Sequence, residues 1–131
     1  MSIIGLIKKL LVWLSGKKEV SSSVLARVTR DWQEVEVLLK GDSPSQLKQA
    51  LILADRSLDS ALKDLVAGQT MGDRLKNAKN LFTPQSYDKI WQAHKLRNSV
   101  VHESGFEVQG FMVKASVERL KAGLAELGVK L

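Results

Sequence analysis

The chain has 131 residues, with 20 Lys and Arg against 14 Asp and Glu, and it contains no cysteine. This length is that of one domain, with room for a short appendage, and such a domain can bury a core without disulfides or metal. The lack of cysteine excludes a disulfide framework, a cysteine nucleophile and thiolate-ligated metal sites, and it is compatible with a cytoplasmic location. The net charge of +6 favours an anionic partner such as nucleic acid or an acidic membrane, or reflects a solvated surface with surplus lysine.

Residues 1–18 differ from the rest of the chain. They form an apolar run that is interrupted by Lys8 and Lys9 and followed by two further lysines. The run is shorter than the roughly 20 residues of a membrane-spanning helix, and it lacks the features of a secretory signal. Its pattern predicts an amphipathic helix that lies peripherally on the inner face of a membrane, or one that packs on the protein's own core or on a twin subunit. We therefore separate this segment from a helical domain at residues 19–131.

Two long helices are predicted in the first half of the domain, at about residues 20–40 and 44–67. In both, apolar residues recur at three- and four-residue spacing. Gly41 stands where a C-cap glycine of the first helix belongs. An N-cap, an initiating proline and a capping-box partner then start the second helix: Ser43, Pro44 and Gln46.

Two further helices follow a short helical piece at residues 70–81. Thr83 and Pro84 repeat the start signal and predict a helix that runs to about residue 103, with Gly105 as its stop. The last helix covers residues 108–127, and its predicted apolar face comprises Phe111, Met112, Ala115, Leu120, Leu124 and Leu127. Because no stretch shows sustained strand alternation, the predicted fold class is all-α: an antiparallel bundle of about four main helices, with an extra N-terminal amphipathic helix.

The most distinctive chemistry lies near the end of the penultimate helix, in residues 95–103. Arg97 and His102 combine a permanent cation with a side chain that titrates near neutral pH. On an ideal helix these two side chains project about 140° apart. His94, Asn98 and His102, at four-residue spacing, are predicted to form a polar ridge. Arg97 lies at the edge of this ridge and is long enough to reach it.

Two stretches, from Gln49 to Asp59 and from Ile90 to Glu103, give the chain a resemblance to a HEPN domain. That superfamily consists of small helical bundles marked by an R-x-x-x-x-H motif, often with a polar residue directly after the arginine. Three residues match the motif here: Arg97, Asn98 and His102. The resemblance covers about residues 20–127. It implies a bundle that forms homodimers; many members are metal-independent ribonucleases, and others are non-catalytic binding or regulatory modules.

RNA transesterification is the reaction that these three residues suit. A base takes the proton of the ribose 2′-OH, the oxygen attacks the adjacent phosphorus, and an acid protonates the leaving 5′ oxygen. His102 can serve in either role, Arg97 can hold the phosphoryl oxygens, and Asn98 can orient His102 or bind a phosphate oxygen. A dimer would supply a second histidine. We expect no metal and no cofactor, because the two histidines lack zinc-binding spacing and the chain has no glycine-rich phosphate loop.

Arg97 and His102 also have structural interpretations, which stay open at this point. Arg97 can form a salt bridge with Glu103, Asp55 or Asp59. His102 can be a helix-terminal residue that the helix dipole favours. Asp55 and Asp59 themselves are expected to be solvated or salt-bridged rather than catalytic or metal-binding.

The neighbouring polar and aromatic residues of the same helix carry similar alternatives. Asn98 can be a plain buried hydrogen-bonding residue, and His94 is more often structural than catalytic. Tyr87 and Trp91 can stack on nucleic-acid bases, although aromatic residues at helical spacing are more often core residues.

Two functions therefore stand side by side. The first is a metal-independent endoribonuclease of HEPN type that acts on RNA as a toxin or in defence, under an antitoxin or regulatory protein. The second is a non-catalytic HEPN-like interaction module, tethered to a membrane by residues 1–18. Some toxin members carry a modified tyrosine two residues after the motif histidine. Here that position is Ser104, so that form of antitoxin control is not expected.

Overall fold

The computed structural model describes residues 3–5 and 19–131, and these residues include helices but no strand. Five α-helices and one 3-10 helix follow residue 19: α1 Ser22–Gly41, α2 Pro44–Leu65, α3 Met71–Asn77, the 3-10 helix Lys79–Leu81, α4 Pro84–His102 and α5 Gly110–Glu126. The predicted all-α class is confirmed.

The helix starts follow the predicted capping signals. The hydroxyl of Ser43 accepts a hydrogen bond from the backbone N–H of Gln46 at 3.2 Å, and the Gln46 side-chain oxygen accepts one from the Ser43 N–H at 3.4 Å. Thr83 accepts a bond from the N–H of Ser86, and a proline occupies the first turn of both helices. These contacts satisfy N–H groups that have no partner within the helix, so residues close in sequence fix where α2 and α4 begin.

The end of α1 differs from the prediction. Gly41 is the last residue of the helix, and the left-handed residue that follows it is Asp42, with φ 60°. Aspartate tolerates this conformation better than most residues, because its short side chain can bond to nearby backbone. α2 ends at Leu65, two residues before the predicted end, and α4 ends at His102.

α2 lies at the centre of the bundle. It packs against α1 and α5 along its length and also touches α3 and α4, while α4 packs mainly on α5. Its predicted inward face is buried, including Leu47, Leu51, Ala54, Leu58, Ala61 and Leu62. Because α2 is surrounded, the polar residues on its α4 side are also withdrawn from water.

The buried face of α5 differs from the prediction. Leu120 and Leu124 are buried as expected, but Phe111, Met112 and Ala115 are exposed, and the core is completed by Val113, Ser116, Val117 and Gly123. α5 carries two apolar stripes, and a close helix contact selects one of them. A Cβ on Gly123 would lie only 2.7 Å from Cδ1 of Ile90, so this glycine lets α4 approach α5 closely.

The prediction for residues 1–18 lies outside the described residues, apart from residues 3–5. These three are helical, and the side chains of Ile3 and Ile4 are exposed. No helix in residues 3–5 or 19–131 is long and apolar enough to cross a membrane.

Candidate functional site

The last two turns of α4 carry the three residues of the predicted motif. Arg97 and Asn98 are half-buried, and His102, the final residue of the helix, is exposed. The helix ends there because Glu103 leaves the helical conformation, although its N–H still donates to the carbonyl of Ser99. His102 therefore stands at the carboxyl end of α4, next to the last carbonyl groups of the helix.

A buried carboxylate on α2 holds this part of α4. The two oxygens of Asp55 lie 3.2 and 3.1 Å from Nδ1 of His94, and both side chains are almost fully buried. When Asp55 is ionised, the ring donates its Nδ1 proton to the carboxylate. The structure therefore places His94, the first residue of the polar ridge, in the interior, where its contact with Asp55 fits the structural interpretation of this histidine.

Burial has the largest effect on the pKa of Asp55. It raises the pKa of this carboxyl, because the charged form loses hydration. The hydrogen bond from His94 and the nearby charges of His94 and Arg97 act in the opposite direction, and Asp59 adds a smaller upward effect. The carboxylate thus depends on the hydrogen bond from His94 and on the charge of Arg97 to stay ionised in the folded protein.

Arg97 is held on one side only. Its Nε lies 3.7 Å from Oδ2 of Asp55, and its Nη1 donates to Oδ1 of Asn98 at 3.2 Å. The Nε atom is buried and, within the part of the chain that the structure describes, has no hydrogen-bond partner. The side chain is 29% exposed, so the guanidinium spans the boundary between the Asp55 cluster and solvent. Of the three acids predicted as partners for Arg97, the structure brings Asp55 to it.

A second carboxylate, one turn further along α2, has a different arginine as its partner. Asp59 accepts two hydrogen bonds from Arg74 of α3, from Nε at 2.6 Å and from Nη2 at 2.8 Å. Nη1 of Arg74 donates to the carbonyl of Gly68 at 2.8 Å. This fork raises the pKa of Arg74, chiefly through the hydrogen bond to Asp59. The sequence analysis missed Arg74, and no local pattern pointed to it, because the pair joins two helices.

An open groove runs beside α4 on the side of the aromatic residues. It has a volume of about 640 Å³, and we call it the aromatic groove; it is lined by Lys76, Tyr87, Asp88, Trp91, Gln92 and Lys95. Tyr87 and Trp91 are half-buried and meet edge to face with their ring centroids 6.3 Å apart. Trp91 also contacts the ring of His94 edge to face at 5.9 Å. The buried His94 therefore links Asp55 to the floor of this groove.

No group of three or more His, Cys, Asp or Glu side chains able to hold a metal ion occurs among residues 3–5 and 19–131. Comparisons with protein-family models, with curated proteins and with solved structures give no match for this chain. The candidate side chains at the end of α4 are those of Arg97, Asn98 and His102. They offer a guanidinium with one open side, an amide beside it and an exposed imidazole one turn beyond.

Proposed function

We propose that this protein is a metal-independent endoribonuclease whose helical bundle is of HEPN type. The observation that carries the proposal is the state of Arg97, which is fixed by Asp55 and Asn98 on one side and open to solvent on the other. A cation held in this way can receive a phosphoryl group without first being released from a closed ion pair. The exposed His102, five residues further along α4, supplies the acid or base.

The reaction is an attack of the ribose 2′ oxygen on the adjacent phosphorus. The O2′–P bond forms while the P–O5′ bond breaks, so the products are a 2′,3′-cyclic phosphate and a free 5′-hydroxyl. One group takes the proton of the 2′-OH and another gives a proton to the 5′ oxygen. His102 performs one of these steps, Arg97 stabilises the charge on the phosphoryl oxygens, and Asn98 positions Arg97 through its side-chain oxygen.

A homodimer completes this proposal, because one chain has a single exposed motif histidine. Exposed apolar side chains at the end of α4 and the start of α5 support it: Val101 is 43% exposed, Phe111 68% and Met112 40%. Large apolar side chains exposed together mark surfaces that other proteins cover. A second copy on this face would bring two His102 side chains into one cleft, one as base and one as acid.

The biological setting is a further part of the proposal. An RNA-cleaving domain without an inhibitor endangers its own cell, so a toxin or defence role requires an antitoxin or regulatory protein as partner. The net charge of +6 supports RNA as the substrate through its phosphates. Residues 1–18 would hold the enzyme at the inner face of a membrane.

Cleavage of a labelled RNA in EDTA tests this function directly. We expect the parent protein to cut the RNA, to leave 2′,3′-cyclic phosphate ends and to spare DNA of the same sequence, because DNA lacks the 2′-OH. His102→Ala should lose about 10²- to 10⁴-fold in rate. Ser104→Ala, a change at an exposed neighbour, is the matched control and should cut as the parent does. A folded dimer that cuts none of several RNAs would refute the proposal.

The second candidate function is a non-catalytic interaction module. The ion pair of Arg97 with Asp55 favours it, because that contact gives the arginine a structural reason to be present. The exposed apolar residues at the start of α5 would then bind a partner protein. This candidate predicts that Arg97 variants lose stability but that the protein has no RNA cleavage to lose.

A further inference from the structure

The aromatic groove combines stacking surfaces with mobile cations. Nζ of Lys79 lies 5.9 Å from the ring centroid of Tyr87, and Nζ of Lys95 lies 6.0 Å from that of Trp91. Each ring therefore has a face that is covered by a lysine side chain and not by the protein core, and a ligand can take the place of that lysine. Lys76 adds a third ammonium to the groove, and Asp88 is the acidic residue among its lining. The charge of the groove is positive, which suits an anionic ligand.

These lysine contacts are of a kind that a nucleobase can displace. A cation over an aromatic ring at an exposed site is held weakly, whereas a base stacked on an aromatic side chain is held more strongly. A lysine that leaves the ring keeps its charge and has a long, flexible side chain. It can then pair with the phosphate next to the stacked base. The two rings, Tyr87 and Trp91, can thus bind the base, and the two lysines, Lys79 and Lys95, can bind the phosphate.

Two of the three candidate catalytic residues, Asn98 and His102, project on the same side of α4 as the groove, whereas Arg97 projects about 80 to 140° away from it on an ideal helix. On an ideal helix Tyr87, Trp91, Asn98 and His102 all project within about 60° of one another. Trp91 and His102 are separated by about 16 Å along the helix axis, which is the length of roughly five nucleotides at the stacked spacing of about 3.4 Å. A strand that stacks in the groove can therefore extend along α4 to the motif.

The rings are also held in position from below. The ring of Trp91 rests against His94, which Asp55 fixes through its hydrogen bonds. A Cβ on Gly72 would lie 3.6 Å from the outer ring of Trp91, so the tryptophan also packs over α3 at this glycine. An aromatic surface that is already ordered loses little conformational entropy when a ligand binds.

We propose that the aromatic groove binds single-stranded RNA by stacking bases on Trp91 and Tyr87, with Lys76, Lys79 and Lys95 on the neighbouring phosphates. The choice of RNA rests on the proposed function, whereas the stacking site does not. The groove holds nucleotides several positions from the bond that His102 acts on. It thereby selects unpaired segments, because paired bases do not offer their faces.

Binding of a fluorescent oligouridine of about ten nucleotides tests this inference by anisotropy. The full chain carries His102→Ala, so that the probe stays intact. Trp91→Leu keeps an apolar side chain but removes the stacking face, and we expect about tenfold weaker binding. Val37→Ala shortens an exposed apolar side chain on α1, outside the groove and the proposed dimer face, and is the control, with unchanged affinity expected.

Two probes and two lysine variants separate stacking from simple charge attraction. An abasic strand of the same length, and an RNA duplex, should bind at least tenfold more weakly than oligouridine. Lys76→Gln with Lys95→Gln should lower the dependence of log affinity on log salt by about 1.4, from about 0.7 per lysine. Lys40→Gln with Lys130→Gln removes the same charge elsewhere and should leave it unchanged. These exposed lysines can change without disturbing the core, so this comparison holds even where Trp91→Leu does not fold.

Equal binding by Trp91→Leu and Val37→Ala would overturn the inference, and so would an abasic strand that binds as tightly as oligouridine. A folded protein that binds no single strand would do the same. Cleavage by the parent protein, measured in parallel, keeps the two proposals apart. If the parent cleaves RNA but Trp91→Leu does not weaken binding, the nuclease proposal stands and the groove proposal is refuted. If binding depends on Trp91 but the parent does not cleave, the groove proposal stands and the nuclease proposal is refuted.

Discussion

Two carboxylates one turn apart on α2 each face an arginine, and the two pairs differ in how completely they are closed. Asp59 and Arg74 share two hydrogen bonds of 2.6 and 2.8 Å, and the arginine side chain is only 9% exposed. Asp55 lies 3.7 Å from Nε of Arg97, no bond is made there, and Arg97 is 29% exposed. The first pair is a closed, two-bond salt bridge that connects α2 and α3. In the second pair the arginine and the carboxylate are near each other but not hydrogen-bonded.

The reason for the difference is what else each carboxylate binds. Asp55 gives both of its oxygens to Nδ1 of His94, which leaves Arg97 at a longer distance. Asp59 gives both oxygens to one guanidinium. An arginine that is buried and bound to a carboxylate and a carbonyl, as Arg74 is, has little capacity left for a ligand. An arginine that is oriented but keeps free N–H donors can bind an anion. This contrast is why we propose a phosphate-binding role for Arg97 and a structural role for Arg74.

The largest effect on stability is expected at the closed pair. Arg74→Gln should lower the free energy of unfolding by about 3 kcal/mol, because it leaves Asp59 with one distant lysine and removes the bond to Gly68. Urea unfolding followed by circular dichroism measures this change. The exposed Arg27 serves as control, and Arg27→Gln should stay within about 0.5 kcal/mol of the parent. A loss below about 1 kcal/mol for Arg74→Gln would show that the fork is not structural.

A somewhat smaller loss of stability is expected when Asp55, the carboxylate that contacts His94 and Arg97, is replaced. Asp55→Ala should cost about 2 kcal/mol, because the buried Nδ1 of His94 loses its hydrogen-bond partner. The cost stays moderate because the substitution also removes a carboxyl whose ionised form burial disfavours. The same urea measurement applies, with the exposed Asp88→Ala as reference. An Asp55→Ala protein as stable as the parent would contradict the role given to this cluster.

Arg97 itself should contribute little to stability. Arg97→Gln is expected to change the free energy of unfolding by less than about 1 kcal/mol, since the side chain is partly exposed and its Nε makes no hydrogen bond with the described residues. Side-by-side unfolding of Arg97→Gln and Arg74→Gln tests the comparison most simply. Equal losses from the two variants would mean that both arginines are structural.

The smallest effect is a pH dependence that belongs to Asp55. Because its folded-state pKa is raised above 3.8, ionisation of Asp55 is harder in the folded chain than in the unfolded chain. The parent should therefore lose stability relative to Asp55→Asn as the pH rises from about 3.8 through the raised pKa, and the difference should then level off. Urea unfolding of both proteins across this pH range measures it. A difference that moves the opposite way would show that His94 and Arg97 outweigh burial.

Local signals explain how much of the fold could be predicted. The starts of α2 and α4 depend on Ser43 and Thr83 and on residues three positions later, so the sequence displays them directly. The buried face of α5 could not be predicted in the same way. It is selected by the approach of Ile90 to Gly123, two residues far apart in sequence.

In the candidate site, too, the features set by local sequence could be predicted, and those set by packing between helices could not. The position of Arg97, Asn98 and His102 near the end of α4 followed from helix periodicity and the position of Gly105. Which of three acids would meet Arg97 depended on how α2 packs against α4, and His94 turned inward for that same reason. Arg74 left no signal, because its partners come from α2 and from the turn that follows it.

RNA cleavage in EDTA by Arg97→Gln and Arg74→Gln, beside the parent, tests the central contrast most directly. Each protein is assayed at a temperature where its unfolding curve shows it to be folded. We predict that Arg97→Gln loses about 10²- to 10³-fold in rate, because the phosphoryl charge is no longer stabilised, while folded Arg74→Gln cuts as the parent does. Cleavage that survives in Arg97→Gln, or that falls equally in both variants, would contradict the assignment of Arg97 to the phosphate.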